Sequence, residues 1–137
     1  MGGRGPGRAA GPVILADTSF LIRALVKGTG EDRALRRWLR EGQPLITSAI
    51  AWAEFLCGPL EPEEFDLAAV VLADRVEFGA EDAVTAAGFF NATGRRRGTL
   101  IDCMIAATAI RSGAALATAN PADFKRLEPL GLTLAGY

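Results

Sequence analysis

The sequence predicts an α/β fold: a three-layer α/β/α sandwich around a short, mostly parallel central sheet. Three observations carry this expectation. Short apolar runs at residues 12–16, 45–47 and 114–117 alternate with longer helical stretches, the order of a parallel sheet covered on both faces. Of the 137 residues, 50% are hydrophobic and 23% charged, the balance of a chain that builds a core. At this length roughly two thirds of the unfolded surface can be buried. No internal repeat or second boundary breaks the pattern, so residues 12–137 read as one domain.

The elements follow in order. The amino end is rich in Gly and Arg rather than apolar, so it is no signal peptide, and residues 1–11 read as a disordered lead-in. Residues 12–16 form a buried strand ending at Asp17. Thr18 and Ser19 are candidate caps for a helix over 20–27, closed by Gly28 and Gly30. Residues 31–40 form an amphipathic helix with Leu35, Trp38 and Leu39 on one side and Arg33, Arg36, Arg37 and Arg40 on the wet side. Gly42 and Pro44 break it. Residues 45–47 are a second strand, and Ser48 caps a helix to about Cys57, stopped by Gly58 and Pro59. A helix over 63–73, a strand over 75–78, and helices over 81–97 and 99–111 parted by Gly98 come next. A strand over 114–117, one or two helical turns over 121–127 and a closing strand over 132–134 complete the chain.

Composition excludes several chemistries. The net charge is −1, so no global positive field draws in nucleic acid, and any phosphate contact is local. Cys57 and Cys103 form no Cys-x-x-Cys pattern; they read as small buried apolar residues in a reducing cytoplasm. No run of 18 apolar residues exists, so no membrane association is expected. There is no histidine. That removes Ser-His and Cys-His triads, His-ligated zinc and histidine acid–base ribonuclease chemistry. Hydrolysis by this chain must rest on carboxylates and hard metal ions.

Three acids stand where charges are otherwise missing. Asp17 is the only charge in PVILADTSFLI (12–22), Glu54 the only one in LITSAIAWAEFLCGPL (45–60), and Asp102 the only one in LIDCMIAATAI (100–110). Each segment reads as buried, and an uncompensated buried carboxylate is costly. One such acid is explained by a distant Arg or, for Asp17, by a helix start. Three together point to convergence on cations. On a helical wheel Asp102 shares its face with Gly98, Thr99, Ala106 and Ala109, which leaves room for an ion and a phosphate. Ligation by oxygen alone suits Mg²⁺ or Mn²⁺.

These residues resemble the PIN-domain nucleases, most closely the VapC-type toxins of toxin–antitoxin pairs. DTSFL at 17–21 is similar to the family's opening after the first strand, and SAIAWAEFLCG at 48–58 to the helix that carries its Glu. LIDCMIAATA at 100–109 is similar to its Asp-x-x-Ile-Ala-Ala helix, and LATANPADF at 116–124 to its closing stretch. The resemblance implies a PIN-like sandwich and RNA hydrolysis to 5′-phosphate and 3′-hydroxyl ends. It implies Asp17 and Asp102 as metal ligands, with Glu54 among them directly or through water. The fourth acidic position falls on Asn120, which brings a carbonyl oxygen but no charge. Either Asp123 moves in, or a second metal binds weakly until substrate arrives. A capping role competes for both residues, with Pro121 at the first helical position.

Thr18, Ser19 and Thr118 are candidates to hold a water or a carboxylate. Arg95, Arg96 and Arg97 form the densest basic cluster; they steer RNA phosphates or form a solvated helix end. The resemblance also implies a small VapB-like antitoxin and a homodimer. Apolar residues of the early helices, with Trp38 and Trp52, are candidate surface for such partners or else core. A housekeeping RNA-processing nuclease and a degenerate, non-catalytic PIN module remain open beside the toxin reading.

Overall fold

Four short strands lie parallel in the order β3-β2-β1-β4, in a computed structural model that describes residues 13–137. They are β1 (Val13–Ala16), β2 (Leu45–Ser48), β3 (Arg75–Val76) and β4 (Ala114–Ala117). The lead-in expected over residues 1–11 lies outside the described residues. Six helices are described: α1 (Thr18–Ala24), α2 (Gly30–Glu41), α3 (Ala49–Leu56), α4 (Pro62–Val71), α5 (Ala80–Ala92) and α6 (Leu100–Arg111). Two 3₁₀ segments, Pro121–Asp123 and Lys125–Leu130, follow β4. Among the described residues no helix is long and apolar enough to cross a membrane.

Strand alternation splits the core into two layers, because successive side chains point to opposite faces. Ile14 and Ala16 pack with Phe20, Trp38, Phe55 and Leu72 on one face. Leu15 packs with Ile105, Leu116, Phe124 and Leu127 on the other. This is the α/β/α sandwich the sequence predicts, with helical residues covering both sides. Thr47 is fully buried within the sheet, and its hydroxyl donates to the Ala16 carbonyl at 2.7 Å, so the polar group is satisfied across β1 and β2.

Several boundaries differ from the sequence reading. Asp17, rather than Thr18 or Ser19, caps α1: its Oδ1 accepts from the Phe20 N–H at 2.9 Å, and Thr18 and Ser19 are already helical. The helix expected over 81–97 stops at Ala92, because Gly94 (φ 92°) and Arg95 (φ 54°) adopt left-handed conformations that end it. Arg95, Arg96 and Arg97 therefore sit in an exposed loop, not on a helix end. The strand at 75–78 shrinks to two residues. The closing strand is a single bridge between Leu116 and Leu134.

Burial overturns one further expectation and decides one open alternative. Cys57 is exposed, since it lies at the frayed end of α3, whereas Cys103 is buried. Trp38 is core, not partner surface: it stacks on Phe20 at 5.5 Å, and the Tyr137 ring meets both edge-on. Trp52 is half-buried between Phe55, Phe65 and the Arg75 guanidinium, which lies 4.2 Å from its ring centre.

Candidate active site

A parallel sheet leaves its carboxyl edge free for chemistry, because each strand there hands over to a helix whose first N–H groups are unpaired. β1 delivers Asp17 to that edge, β2 delivers Ser48 and β4 delivers Thr118. Asp17 is 4% exposed. Its Oδ1 accepts from the Ser19 hydroxyl at 2.8 Å as well as from the Phe20 N–H. The Ser19 oxygen in turn accepts from the Ala119 N–H at 3.0 Å and lies 3.2 Å from the Thr118 hydroxyl. Thr118 accepts from the Asn120 N–H at 3.1 Å. The chain thus ties the end of β1 to the end of β4 through short polar side chains.

Glu54 comes from the last turns of α3, which Ser48 caps by accepting the Ala51 N–H at 2.9 Å. The apolar run around Glu54 predicts burial, but the side chain is exposed. Ala51 and Phe55 supply the buried face of this helix, and Glu54 lies on its open side. The Thr18 hydroxyl donates to its Oε1 at 2.8 Å, so α1 orients the Glu54 carboxylate toward the β1 edge. Asp102 sits in the first turn of α6, half-buried, where the helix dipole favours an anion.

The electrostatics show these acids acting on one another. Burial pushes the Asp17 carboxyl above its ordinary value, against the hydrogen bonds from Thr118, Phe20 and Ser19, and the Glu54 charge adds to the rise. Asp102 is pushed up to about 6, first by burial, then by the charge of Asp123, with smaller contributions from Asp17 and Glu54. Arg126 opposes that rise. Yet none of the ion pairs among the described residues, Arg23–Glu31, Arg36–Asp32 and Arg111–Asp82, engages Asp17, Glu54, Asp102 or Asp123. Four carboxylates from four segments share a field without a bonded counter-charge.

They do not close on one point. Among the described residues no three acidic or thiol groups gather tightly enough to ligate a single ion together. That spacing still fits Mg²⁺, which keeps several waters and is held by one or two carboxylates rather than by an all-protein cage. The donor set, oxygen only and net negative, fits a hard divalent cation.

Asn120 and Asp123 are both exposed. The Asn120 side chain makes no capping bond, contrary to the capping role; only its backbone carbonyl accepts, from the Asp123 N–H at 3.0 Å. Asp123, not Asn120, brings charge to bear on Asp102.

Two residues at this edge escape the sequence reading. Tyr137 places its hydroxyl 2.6 Å from Glu31 Oε2 and 2.9 Å from the Thr118 carbonyl, bracing the end of β4 against α2. Arg126 approaches Asp102 from the 3₁₀ segment, its Nη1 donating to the Asp123 carbonyl. A lone Arg in a polar stretch carries no signal of such a contact; only the fold brings it to α6.

The sequence model of the PIN domain matches residues 14–129. Among solved structures, VapBC2 from Rickettsia felis, bound to a DNA fragment from its promoter, superposes with a TM-score of 0.70 at 20% identity, covering 91% of this chain and 98% of that one. VapC20 from Mycobacterium tuberculosis, described as a sarcin-ricin loop cleaving toxin, gives a TM-score of 0.61 at 17% identity over 89% of this chain and 98% of that one. At such identities the likeness is one of fold. A stretch of 71 residues is 35% identical to a 5-methyltetrahydropteroyltriglutamate–homocysteine methyltransferase from Corynebacterium efficiens; it covers 50% of this chain and 9% of that protein's length, and it carries no activity across. With the family model reaching every strand and covering all four acids, the chain belongs to the PIN domain family.

Proposed function

We propose that this chain is a Mg²⁺- or Mn²⁺-dependent endoribonuclease that hydrolyses RNA phosphodiesters to 5′-phosphate and 3′-hydroxyl ends, and that it is the toxin of a VapBC-type pair. The observation that carries the reading is the electrostatic meeting of Asp17, Glu54, Asp102 and Asp123 at the carboxyl edge of the sheet, none of them in an ion pair among the described residues. Membership of the PIN family and the fold shared with a toxin that cleaves the sarcin-ricin loop support it.

Asp17 and Asp102 would hold the cation, with Glu54 beside them directly or through water. When bound, a divalent ion supplies a nucleophilic water at neutral pH and an electrophile for the phosphoryl oxygens. The chain's own residues do the rest. Ser19, Thr118 and the Phe20 N–H fix the Asp17 carboxylate, and Thr18 fixes Glu54. With no histidine in the chain, no imidazole takes a proton from a ribose hydroxyl, which agrees with attack by water rather than by the 2′-oxygen. Arg95, Arg96 and Arg97, exposed just before α6, would draw RNA phosphates toward the acids.

A small antitoxin and a homodimer belong to the same reading. The solved neighbours include toxin–antitoxin complexes. An apolar cavity of about 380 Å³ between α1, α2 and α4, with Leu21, Leu35, Leu39, Leu67 and Leu72 among its walls, offers a partner surface. The exposed Leu39 and Leu67 extend it to solvent.

Cleavage of end-labelled RNA by the purified chain is the test. Activity is expected only with added Mg²⁺ or Mn²⁺, and Asp17→Asn is expected to reduce it by about a thousandfold or more. Full activity in Asp17→Asn, or 2′,3′-cyclic phosphate ends on the products, overturns the proposal. The uncharged Asn120 favours a second reading, a PIN module that binds RNA without cutting it. Binding with no metal-dependent cleavage in the wild type would establish that one.

A further inference from the structure

Arg126 is half-buried, and two of its guanidinium nitrogens, Nε and Nη2, are shut away from solvent without a hydrogen-bond partner among the described residues. Buried donors left unpaired are rare and costly, and a charged fork is the costliest kind. The third nitrogen, Nη1, is anchored on the Asp123 carbonyl, which fixes the orientation of the plane. Nε and Nη2 together form one edge of that plane, the edge that takes two oxygens of a carboxylate or a phosphate at once.

The surroundings narrow what can fill this edge. Phe124 and Leu127, which flank Arg126 in the chain, pack with Ile105 and Ala106 of α6, and the Arg126 charge is felt at Asp102 and Cys103. Asp102 and Asp123 stand nearby, yet neither comes within ion-pair distance, so the fork is close to the acids but not quenched by them. Water from bulk does not reach it. Arg126 lies within the 3₁₀ segment Lys125–Leu130, just after the 3₁₀ turn Pro121–Asp123, and the hydrogen bonds of such turns are poorer and open at low cost. An anion entering among carboxylates must arrive with cations of its own, and a phosphodiester screened by a divalent ion meets that condition.

We infer that Arg126 is a substrate-binding residue whose free Nε–Nη2 edge takes two oxygens of an RNA backbone phosphate beside Asp102. The inference rests on the nuclease reading above and deepens it by naming the residue that grips the strand.

Binding of a short fluorescent single-stranded RNA, measured by anisotropy in Ca²⁺ so that cleavage is not required, tests it in the full chain. Arg126→Lys keeps the charge but loses the paired edge. It is expected to bind at least about tenfold more weakly than wild type, with a matching rise in KM in Mg²⁺ and kcat nearly unchanged. Arg126→Met removes the unpaired donors, so its melting temperature is expected to equal or exceed that of wild type while RNA binding falls, a combination a purely structural Arg does not give. RNA binding by Arg126→Lys within twofold of wild type overturns the inference, whatever Arg126→Met does. Failure of the wild type itself to bind RNA overturns the nuclease reading with it, so the two failures are distinguishable.

Discussion

Metal-free Asp102→Asn is expected to melt about 4 °C above the wild-type chain at pH 7.5, and to cleave RNA about a thousandfold more slowly or worse. The stability gain follows from the raised carboxyl. Asp102 titrates at about 6 in the folded chain against an ordinary value of 3.8. Between those values the folded protein holds a proton that the unfolded chain has released. Stability therefore falls as pH rises from about 4 to about 6 and stays lower above that range. Allowing for its contact with water, the penalty at neutral pH is about 1 kcal/mol. Asparagine removes it. Near pH 4, where Asp102 is protonated in the fold, the two proteins are expected to melt together. Thermal unfolding from pH 4 to pH 8 with a chelator present checks the sign. An Asp102→Asn chain less stable than wild type at pH 7.5 would mean that the carboxylate is held by a partner rather than by its need for a cation.

Phe20→Ala is expected to destabilise the fold by about 3–5 kcal/mol, a large share of the stability of a chain this size. The Phe20 ring is fully buried, stacked on Trp38 and met edge-on by Tyr137 at 5.2 Å. Removing it opens a cavity between α1, α2 and the carboxyl terminus that these rigid neighbours cannot close. The same residue's N–H caps onto Asp17, so the core and the site share one hinge point at the start of α1. Urea unfolding checks this: the midpoint is expected to drop sharply with an unchanged slope, while Phe20→Leu, which keeps most of the volume, loses much less. A loss below about 1 kcal/mol for Phe20→Ala would contradict the packing described.

Particular residues show how much of this was readable in advance. β1, β2 and β4 were legible because a strand buried on both faces must be apolar at every position, and the runs at Val13–Ala16, Leu45–Ser48 and Ala114–Ala117 nearly are. The acids Asp17 and Asp102 stood out because desolvation makes a lone charge in such a run improbable without a reason. Glu54 stood out on the same ground, but its exposure did not follow: the α3 stretch is apolar all round, and composition does not say which side of a helix meets the sheet. The end of α5 was hidden because the break rests on the left-handed backbone of Gly94 and Arg95, with no proline to mark it. Asp82 illustrates a different limit. It caps α5 by accepting the Gly79 N–H, and it also receives the Arg111 guanidinium from the far end of α6 at 2.7 Å. The cap is a local pattern; the ion pair joins residues that only the packing of α5 on α6 brings together. Arg126 is hidden for the same reason, since nothing near it in the chain announces α6.

Direct titration with Mn²⁺, followed by its EPR signal at pH 7.5, tests most plainly whether these carboxylates gather for a cation. The wild-type chain is expected to take up Mn²⁺ saturably, and Asp17→Asn and Asp102→Asn, both folded, are expected to bind at least about tenfold more weakly. Equal uptake by the wild type and both variants, or none by the wild type at millimolar Mn²⁺, would contradict the account.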